Sequence, residues 1–565
     1  MLSTLASRQR NLVPAMPRSL PGPKSVFASL LLLSCSCGPP GGGPDRTDVE
    51  LLPLRSPEHL ADQPALFLLE DSGLIDTFPL AYSAEDRWLD DFSSGLAAFD
   101  CDVDGDIDLY FVNQAGPSRL YLNDGNAHFE LAEVPELSLD GDHPAGASVA
   151  DVDNDGDPDL LVLNHHQTNR MLVNLGDCRF EDRTEELGLT DTHRSTHGTW
   201  VDLNEDGWLD LLVSNWAGAL PKGDSGPPPD PHPDRLFLSD GKGGFLDSSS
   251  TLPLDTQTNW GMVTGFFDLD GDGDLDMYQS NDRGQLFVPN RAYRNEGLSP
   301  EGTPEWTDTT TLWGLESAVA GMGFALSDVD LDGDLDLFHL ANREDLYLND
   351  GETFVESGLA WGLLDPDPLN IAWGGTFFDA DADGDEDLWY VHSNFFNGPL
   401  QDLDGHAGPG RFFRSHATEG GEFELEALAG AAGERHLWRG QTAVDLDGDG
   451  LQELVHGVAA GAPLVLKVNP PDGAQVLEVV LRGRESNAEG RGAVVRAQVD
   501  GVWQLRWPGA VDPVLTGRPA VVSFGLGDAS HVEVLEVRWP SGIVQRINDL
   551  PGGHRAVVTE TESTP

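Results

Sequence analysis

Seven copies of one nine-residue acidic loop recur along this chain, and their composition and spacing constrain its fold more than any other feature. They begin at Asp100 (DCDVDGDID), Asp151 (DVDNDGDPD), Asp202 (DLNEDGWLD), Asp268 (DLDGDGDLD), Asp328 (DVDLDGDLD), Asp379 (DADADGDED) and Asp445 (DLDGDGLQE). Each places a carboxylate or carboxamide at positions 1, 3 and 5, a glycine at position 6 and an acid at position 9. Alternate side chains converge on one point only where the chain turns sharply, and the glycine permits that turn. Oxygen donors in this number suit Ca²⁺, which accepts six to eight oxygen ligands. The expected ligands are Asp100, Asp102, Asp104 and Asp108; Asp151, Asp153, Asp155 and Asp159; Asp202, Asn204, Asp206 and Asp210; Asp268, Asp270, Asp272 and Asp276; Asp328, Asp330, Asp332 and Asp336; Asp379, Asp381, Asp383 and Asp387; and Asp445, Asp447, Asp449 and Glu453. Neutral Asn204 and the longer Glu453 make loops three and seven the weakest expected sites.

An EF-hand shares the first half of this loop but needs a bidentate Glu at position 12 and flanking helices. Position 12 is held here by Phe111, Val162, Val213, Gln279, His339, Tyr390 and His456, so that reading fails. The flanks are short apolar runs, LAAF before and LYFV after the first loop, which predict strand, acidic loop, strand.

Loop starts are 51, 51, 66, 60, 51 and 66 residues apart, a period expected of propellers. A third strand with an Asn-Gly or Asp-Gly type turn follows in each unit, as in RLYLNDG at Arg119, and a fourth begins at Phe129, Phe180, Phe245, Trp306, Phe354 and Phe423. The seventh unit lacks its own fourth strand, and FLLEDSGL at Phe67 is expected to supply it and close the ring. The expectation is a seven-bladed all-β propeller over residues 63–470. Glycines at Gly95, Gly146, Gly198, Gly265, Gly323, Gly375 and Gly440 precede the loops, where innermost strands crowd a central channel. Strand alternation puts the acidic loops on one face. Two long insertions, Trp216 to Asp234 and Ser393 to Gly410, fall on the other, where recognition is expected. Trp260, Trp373 and Trp438 are expected near the channel mouth, as blade packing or as platforms for a sugar or peptide.

Residues 471–559 read as a small β domain, followed by a polar tail at 560–565 expected to be disordered. At the other end, residues 1–35 read as an export signal. The apolar run Val26 to Leu33 is too short to cross a bilayer, and LLSC resembles a bacterial lipobox that would lipidate Cys35. Met16 offers a later start, and cleavage with release is the alternative outcome. A flexible Gly/Pro-rich tether is expected over residues 36–62. Cys101 and Cys178 remain in the body of the chain as one possible disulfide.

The net charge is −63, and 34 of the 96 acidic residues lie in the seven loops. Such a charge repels phosphates and anionic lipids, so nucleic acid is not an expected partner and membrane contact is expected only through a lipid at Cys35.

The loops with their flanking strands resemble FG-GAP/VCBS repeats, the integrin-α type of calcium-bearing propeller. LRGRESNAEGRGA at Leu481, SFGLGD at Ser523 and VRWPSG at Val537 resemble an ASPIC/UnbV domain, with Arg491 standing where that pattern has an aliphatic residue. The combination resembles the cartilage acidic protein family over residues 65–550 or so. The resemblance implies calcium binding and extracellular interaction, with no reaction attached. The reading is a non-enzymatic, exported surface protein, lipid-anchored or secreted, whose calcium-stiffened propeller recognises an extracellular protein or glycan. One alternative is a polysaccharide lyase or hydrolase, for which His165, His166, His193, His197 and His436 are the candidate groups. Another makes the C-terminal segment the recognition module and the propeller a spacer.

Overall fold

The computed structural model describes residues 48–562 apart from 62, 79–91, 166, 217–229, 364–370, 395–405 and 429–432. Cys35 with its signal segment, His166 and much of both long insertions lie outside the described residues. Residues 46–565 form one compact unit.

Among the described residues, the alternation of apolar runs with turn residues resolves into seven sheets with a core of four antiparallel strands, each holding one acidic loop. Sheet one contains Leu96–Phe99, Asp108–Phe111, Arg119–Asn123 and Phe129–Ala132, with the loop joining the first strand to the second. Sheet seven contains Trp438–Val444, Glu453–Val458 and Leu464–Val468, and its fourth strand is Leu66–Leu68 from the N-terminal side. Leu66 lies opposite Val468 in that antiparallel pair. The innermost strands neighbour one another in chain order, and that of sheet seven lies against that of sheet one. The fold is therefore an all-β propeller. In sheet six the third strand runs Ala407–Arg414, so the described insertion ends a few residues earlier than its sequence suggests.

Glycine allows the innermost strands to meet. A Cβ on Gly95 would lie 2.4 Å from the Ala145 carbonyl oxygen and 2.6 Å from Gly146 Cα, closer than any side chain tolerates. Between sheets, Asn123 on the third strand of sheet one donates its Nδ2 to the Leu446 carbonyl of loop seven at 2.8 Å. Asn174 repeats the contact to the Cys101 carbonyl of loop one at 2.9 Å. Cys101 and Cys178 form a disulfide joining sheets one and two.

The C-terminal segment is a sandwich of two four-stranded sheets around Leu477, Val479, Val495, Phe524, Leu535, Val537 and Trp539. Two expectations are corrected here. Val49–Pro53, inside the supposed tether, is an edge strand of this sandwich, antiparallel to His554–Thr559. Its alternation is weak because it covers the sheet edge with little burial of its own. Glu560, assigned to a disordered tail, is fully buried and accepts the backbone N–H groups of Arg484, Glu485 and Ser486 at 2.7, 2.9 and 2.9 Å.

The sandwich sits on the acidic-loop face and sends residues 507–519 into the channel. Thr516–Gly517 adds a parallel fifth strand beside Leu96 and Ala97 of sheet one. The Leu515 carbonyl accepts from Leu96 and Ala147, and its N–H donates to the Thr196 carbonyl at 3.3 Å. Leu515 and Val514 pack in one cluster with Trp216, Trp260, Trp373 and Phe92. The channel is thereby filled, and the tryptophans expected at its mouth are buried: Trp260, Trp373 and Trp438 are each 0% exposed. Phe92 lies 4.9 Å from Trp216 and 5.7 Å from Trp373, so these rings pack on one another and present no face to a sugar or peptide.

The loop backbone carries two left-handed residues. Position 6 glycine is at φ +101° in loop one and +105° in loop four, as its sequence position requires. Position 4 is also left-handed, and in loops one and five it holds Val103 (φ 59°) and Leu331 (φ 57°), a conformation that costs a bulky residue about 1–2 kcal/mol. Asn154 occupies the same place in loop two with less strain. Because Val103 is 55% exposed, Val103→Asn loses little burial and is expected to raise stability by about 1 kcal/mol in denaturant unfolding. Leu515→Ala is expected to lower it by about 2–5 kcal/mol by opening a cavity where the channel is sealed.

Candidate metal centres

The acid at position 9 is wired in the same way in loops one to six, and loop one shows the full pattern. In loop one, the position 1 carboxylate of Asp100 accepts the amides of Asp104 (3.1 Å) and Gly105 (2.9 Å). Position 5, Asp104, accepts the amide of Asp106 at 3.0 Å. Position 9 reaches furthest: Asp108 accepts the amide of Cys101 at 3.1 Å and that of Asn123, on the third strand, at 2.9 Å. Asp159, Asp210, Asp276, Asp336 and Asp387 each make the same pair of bonds. This brace is invisible in sequence, because a fixed spacing of acids says nothing about which backbone amides they meet.

Position 3 is different. One oxygen each of Asp102, Asp153, Asp330 and Asp447 is buried without a hydrogen bond, as is one oxygen each of Asp268 and Asp328 at position 1. Carboxylate oxygens of positions 1, 3 and 9 lie within 4.8 Å of one another in loops one, two and four, and those of positions 1, 3 and 5 do so in loop five. Buried anionic oxygens without partners are costly unless a cation meets them. Burial pushes the carboxyls upward, Asp108 to about 7 and Asp159, Asp276 and Asp336 to about 8. These residues can hold a hard divalent cation.

Three loops depart from that arrangement. In loop three, Asn204 Nδ2 donates to Asp206 at 3.2 Å, so the carboxamide satisfies a neighbour. In loop six, Arg414 pairs with Asp381 and lies 2.5 Å from Glu426. In loop seven, Lys467 pairs with Asp447, with Nζ 3.5 Å from Glu453 and 3.9 Å from Asp449.

The sandwich covers several loops, which the sequence does not reveal. Arg538 lies 4.0 Å from Asp268 and Arg555 3.9 Å from Asp445. Arg491 is 2% exposed and donates to the Val149 carbonyl at 2.9 Å, just before loop two, and to Glu489 at 2.8 Å. The residue that departs from the family pattern therefore pins the sandwich to sheet two. Between loops four and five and the sandwich lies a cleft of about 320 Å³ lined by Asp270, Asp334, Arg496, Trp507, Glu536 and Arg538.

The described histidine candidates do not converge on an open cleft. His197 is buried beside Thr199 Oγ1 at 3.0 Å, with desolvation pushing it down to about 4. His193 is held 2.5 Å from Asp191, His165 packs edge-on to Phe92, and His436 packs on Trp438 at 4.7 Å.

An ASPIC and UnbV profile matches residues 483–565, and an FG-GAP-like repeat profile matches 100–162, 151–213 and 268–339. Cartilage acidic protein 1 of Mus musculus is 26% identical over 485 residues, covering 79% of this chain and 70% of its own length. The Homo sapiens protein of that name is 28% identical over 199 residues, 34% of this chain and 27% of its own length. Among solved structures, BBS1N in complex with ARL6DN has a TM-score of 0.39 at 10% identity, covering 70% of this chain and 95% of that one. Rhamnogalacturonan lyase YesW has a TM-score of 0.35 at 12% identity, covering 75% and 76%. The chain thus carries FG-GAP-like repeats and an ASPIC/UnbV domain on an all-β propeller scaffold, and is homologous to cartilage acidic protein 1.

Proposed function

We propose that this protein is an exported calcium-binding surface protein whose seven-bladed propeller is a calcium-stabilised scaffold for recognising an extracellular protein or glycan. The observation that carries the reading is the convergence of carboxylate oxygens in loops one, two, four and five, with buried oxygens lacking a hydrogen bond in each of them. Bound Ca²⁺ would supply the positive charge those oxygens lack. The chain's own residues place them: the glycine at position 6 turns the loop, position 1 caps its amides, and position 9 holds the first and third strands at fixed separation. Weak loops of this kind fill at the millimolar calcium found outside cells, which is why export belongs to the same reading. The lipid at Cys35 belongs to it too, as does the absence of a nucleic-acid partner, supported by the charge of −63.

The face that carries the long insertions is the proposed recognition surface, since the sandwich occupies the acidic-loop face. The packing of His165, His193, His197 and His436 leaves the lyase or hydrolase alternative without a supporting observation. Incubation with uronic-acid polysaccharides is expected to yield no unsaturated products by ultraviolet absorbance and no new reducing ends; release of either would reverse that choice.

The metal also sets the pH dependence. Asp159, Asp276 and Asp336 have folded-state pKa values near 8 against an ordinary value of 3.8, so the metal-free fold holds protons that the unfolded chain releases. Their stabilising effect is complete at acid pH and is lost as pH rises through about 8. Buried His197, His339 and His456, pushed down to about 4, 3 and 3, act in the opposite sense only below their ordinary value of 6.5. Calorimetry in chelator is therefore expected to show the melting temperature rising as pH falls from about 8.5 to about 6.5. Millimolar calcium is expected to raise that temperature and flatten the slope, and a curve indifferent to calcium at both ends would remove the proposed mechanism.

A further inference from the structure

One third-strand position distinguishes loops six and seven from the rest. Leu109 of sheet one pairs with Tyr121, Leu388 of sheet six with Phe413, and Leu454 of sheet seven with Leu466. The next residue along the third strand is therefore equivalent in all three: Leu122, Arg414 and Lys467. The same register places Val173, Leu238 and Leu348 there in sheets two, three and five. In these four sheets the side chain is aliphatic and packs into the local core. Sheet four has Arg294, but its guanidinium turns outward to Glu296 at 2.6 Å.

Arg414 and Lys467 turn inward instead. Their side chains are only 18% and 14% exposed. Lys467 addresses positions 3, 5 and 9 of loop seven at once through Asp447, Asp449 and Glu453. Arg414 pairs with position 3 of loop six, Asp381, while its Nε bonds Glu426. Positions 3 and 9, which Lys467 addresses in loop seven, and position 3, which Arg414 addresses in loop six, are also among the oxygens that converge in loop one.

We propose that Arg414 and Lys467 are tethered cations that stand in for the divalent ion, so that loops six and seven close without metal. The inference rests on the calcium reading for the remaining loops. An incoming divalent ion would have to displace a buried guanidinium or ammonium from its carboxylates, or sit beside it as a like charge in a weakly screened site. The arrangement also gives these two loops a cation that neither chelation nor dilution removes. They adjoin Leu66–Leu68, where the chain closes the last sheet, so the join is the part of the ring that would be independent of calcium supply.

Native mass spectrometry of the full chain in millimolar calcium tests this, with the disulfide intact. The wild type is expected to hold no more than five ions for its seven loops. Lys467→Met and Arg414→Leu are each expected to gain one ion, and Leu122→Lys to lose one. A wild type carrying seven ions, or a Lys467→Met protein with the wild-type count, would overturn the inference while leaving the calcium reading intact. A gain in Lys467→Met over a wild type that binds nothing would do the reverse. Should Lys467→Met fold only with metal, its melting temperature is expected to fall in chelator and recover in calcium. A loss that calcium does not restore would contradict the substitution of one cation for another.

Discussion

The acid that ends each of loops one to six is the contact on which this architecture depends. Its two oxygens bond the second residue of the loop and an amide at the third strand, so one carboxylate ties three strands of a sheet together, while Glu453 of loop seven keeps only the first of these bonds, to Leu446. The bonds measure 2.9–3.1 Å in loop one and are made inside the fold: Asp159, Asp210, Asp276 and Asp336 are 0% exposed. Burying that charge is unfavourable by itself, and setting the acids of positions 1 and 3 beside it adds like-charge repulsion. The sheets are thus organised around a charge deficit. Loops six and seven set Arg414 and Lys467 among their acids, though one oxygen of Asp447 still lacks a hydrogen bond, whereas the buried unpartnered oxygens of loops one, two, four and five have no such inward cation paired with them. The same design principle produces two outcomes, separated by one third-strand residue.

A second constraint is closure. Sheets arranged as a propeller around an axis leave a channel that water would enter, and here the ASPIC/UnbV domain fills it with Leu515, Val514 and the short strand Thr516–Gly517. Arg491 and Arg506 add polar attachments, the first to the Val149 carbonyl and the second to Glu386 at 3.1 Å. The N-terminal strand Val49–Pro53 belongs to this domain and leads on to Leu66–Leu68 in the last sheet. Both ends of the described chain therefore meet on one domain. Truncation at residue 470 would unplug the channel and remove the partner of the first strand.

Much of this was legible from residue order alone, for a physical reason. Local rules govern strands, turns and the left-handed glycine at position 6, and they depend on neighbours in sequence; the acidic loops, third strands and the closing strand near Phe67 follow from them. What the sequence hid depends on distant contacts. No spacing rule connects Leu515 with Thr196, or shows that Trp260 and Trp373 meet Phe92 and Trp216 inside the channel and not a ligand at its mouth. Val49–Pro53 looked like a tether because an exposed edge strand lacks clear alternation. Nothing in the order of residues marks Lys467, since its significance lies in three carboxylates that come from a loop fourteen or more residues earlier in the chain.

The most direct test of the account is anomalous diffraction from crystals of the full chain grown in millimolar calcium. The account predicts peaks among the oxygens of positions 1, 3 and 9 in loops one, two and four, and among those of loop five, with each ion within about 2.3–2.6 Å of its carboxylate ligands. Loops without anomalous density at that concentration, their carboxylates meeting only water, would contradict it.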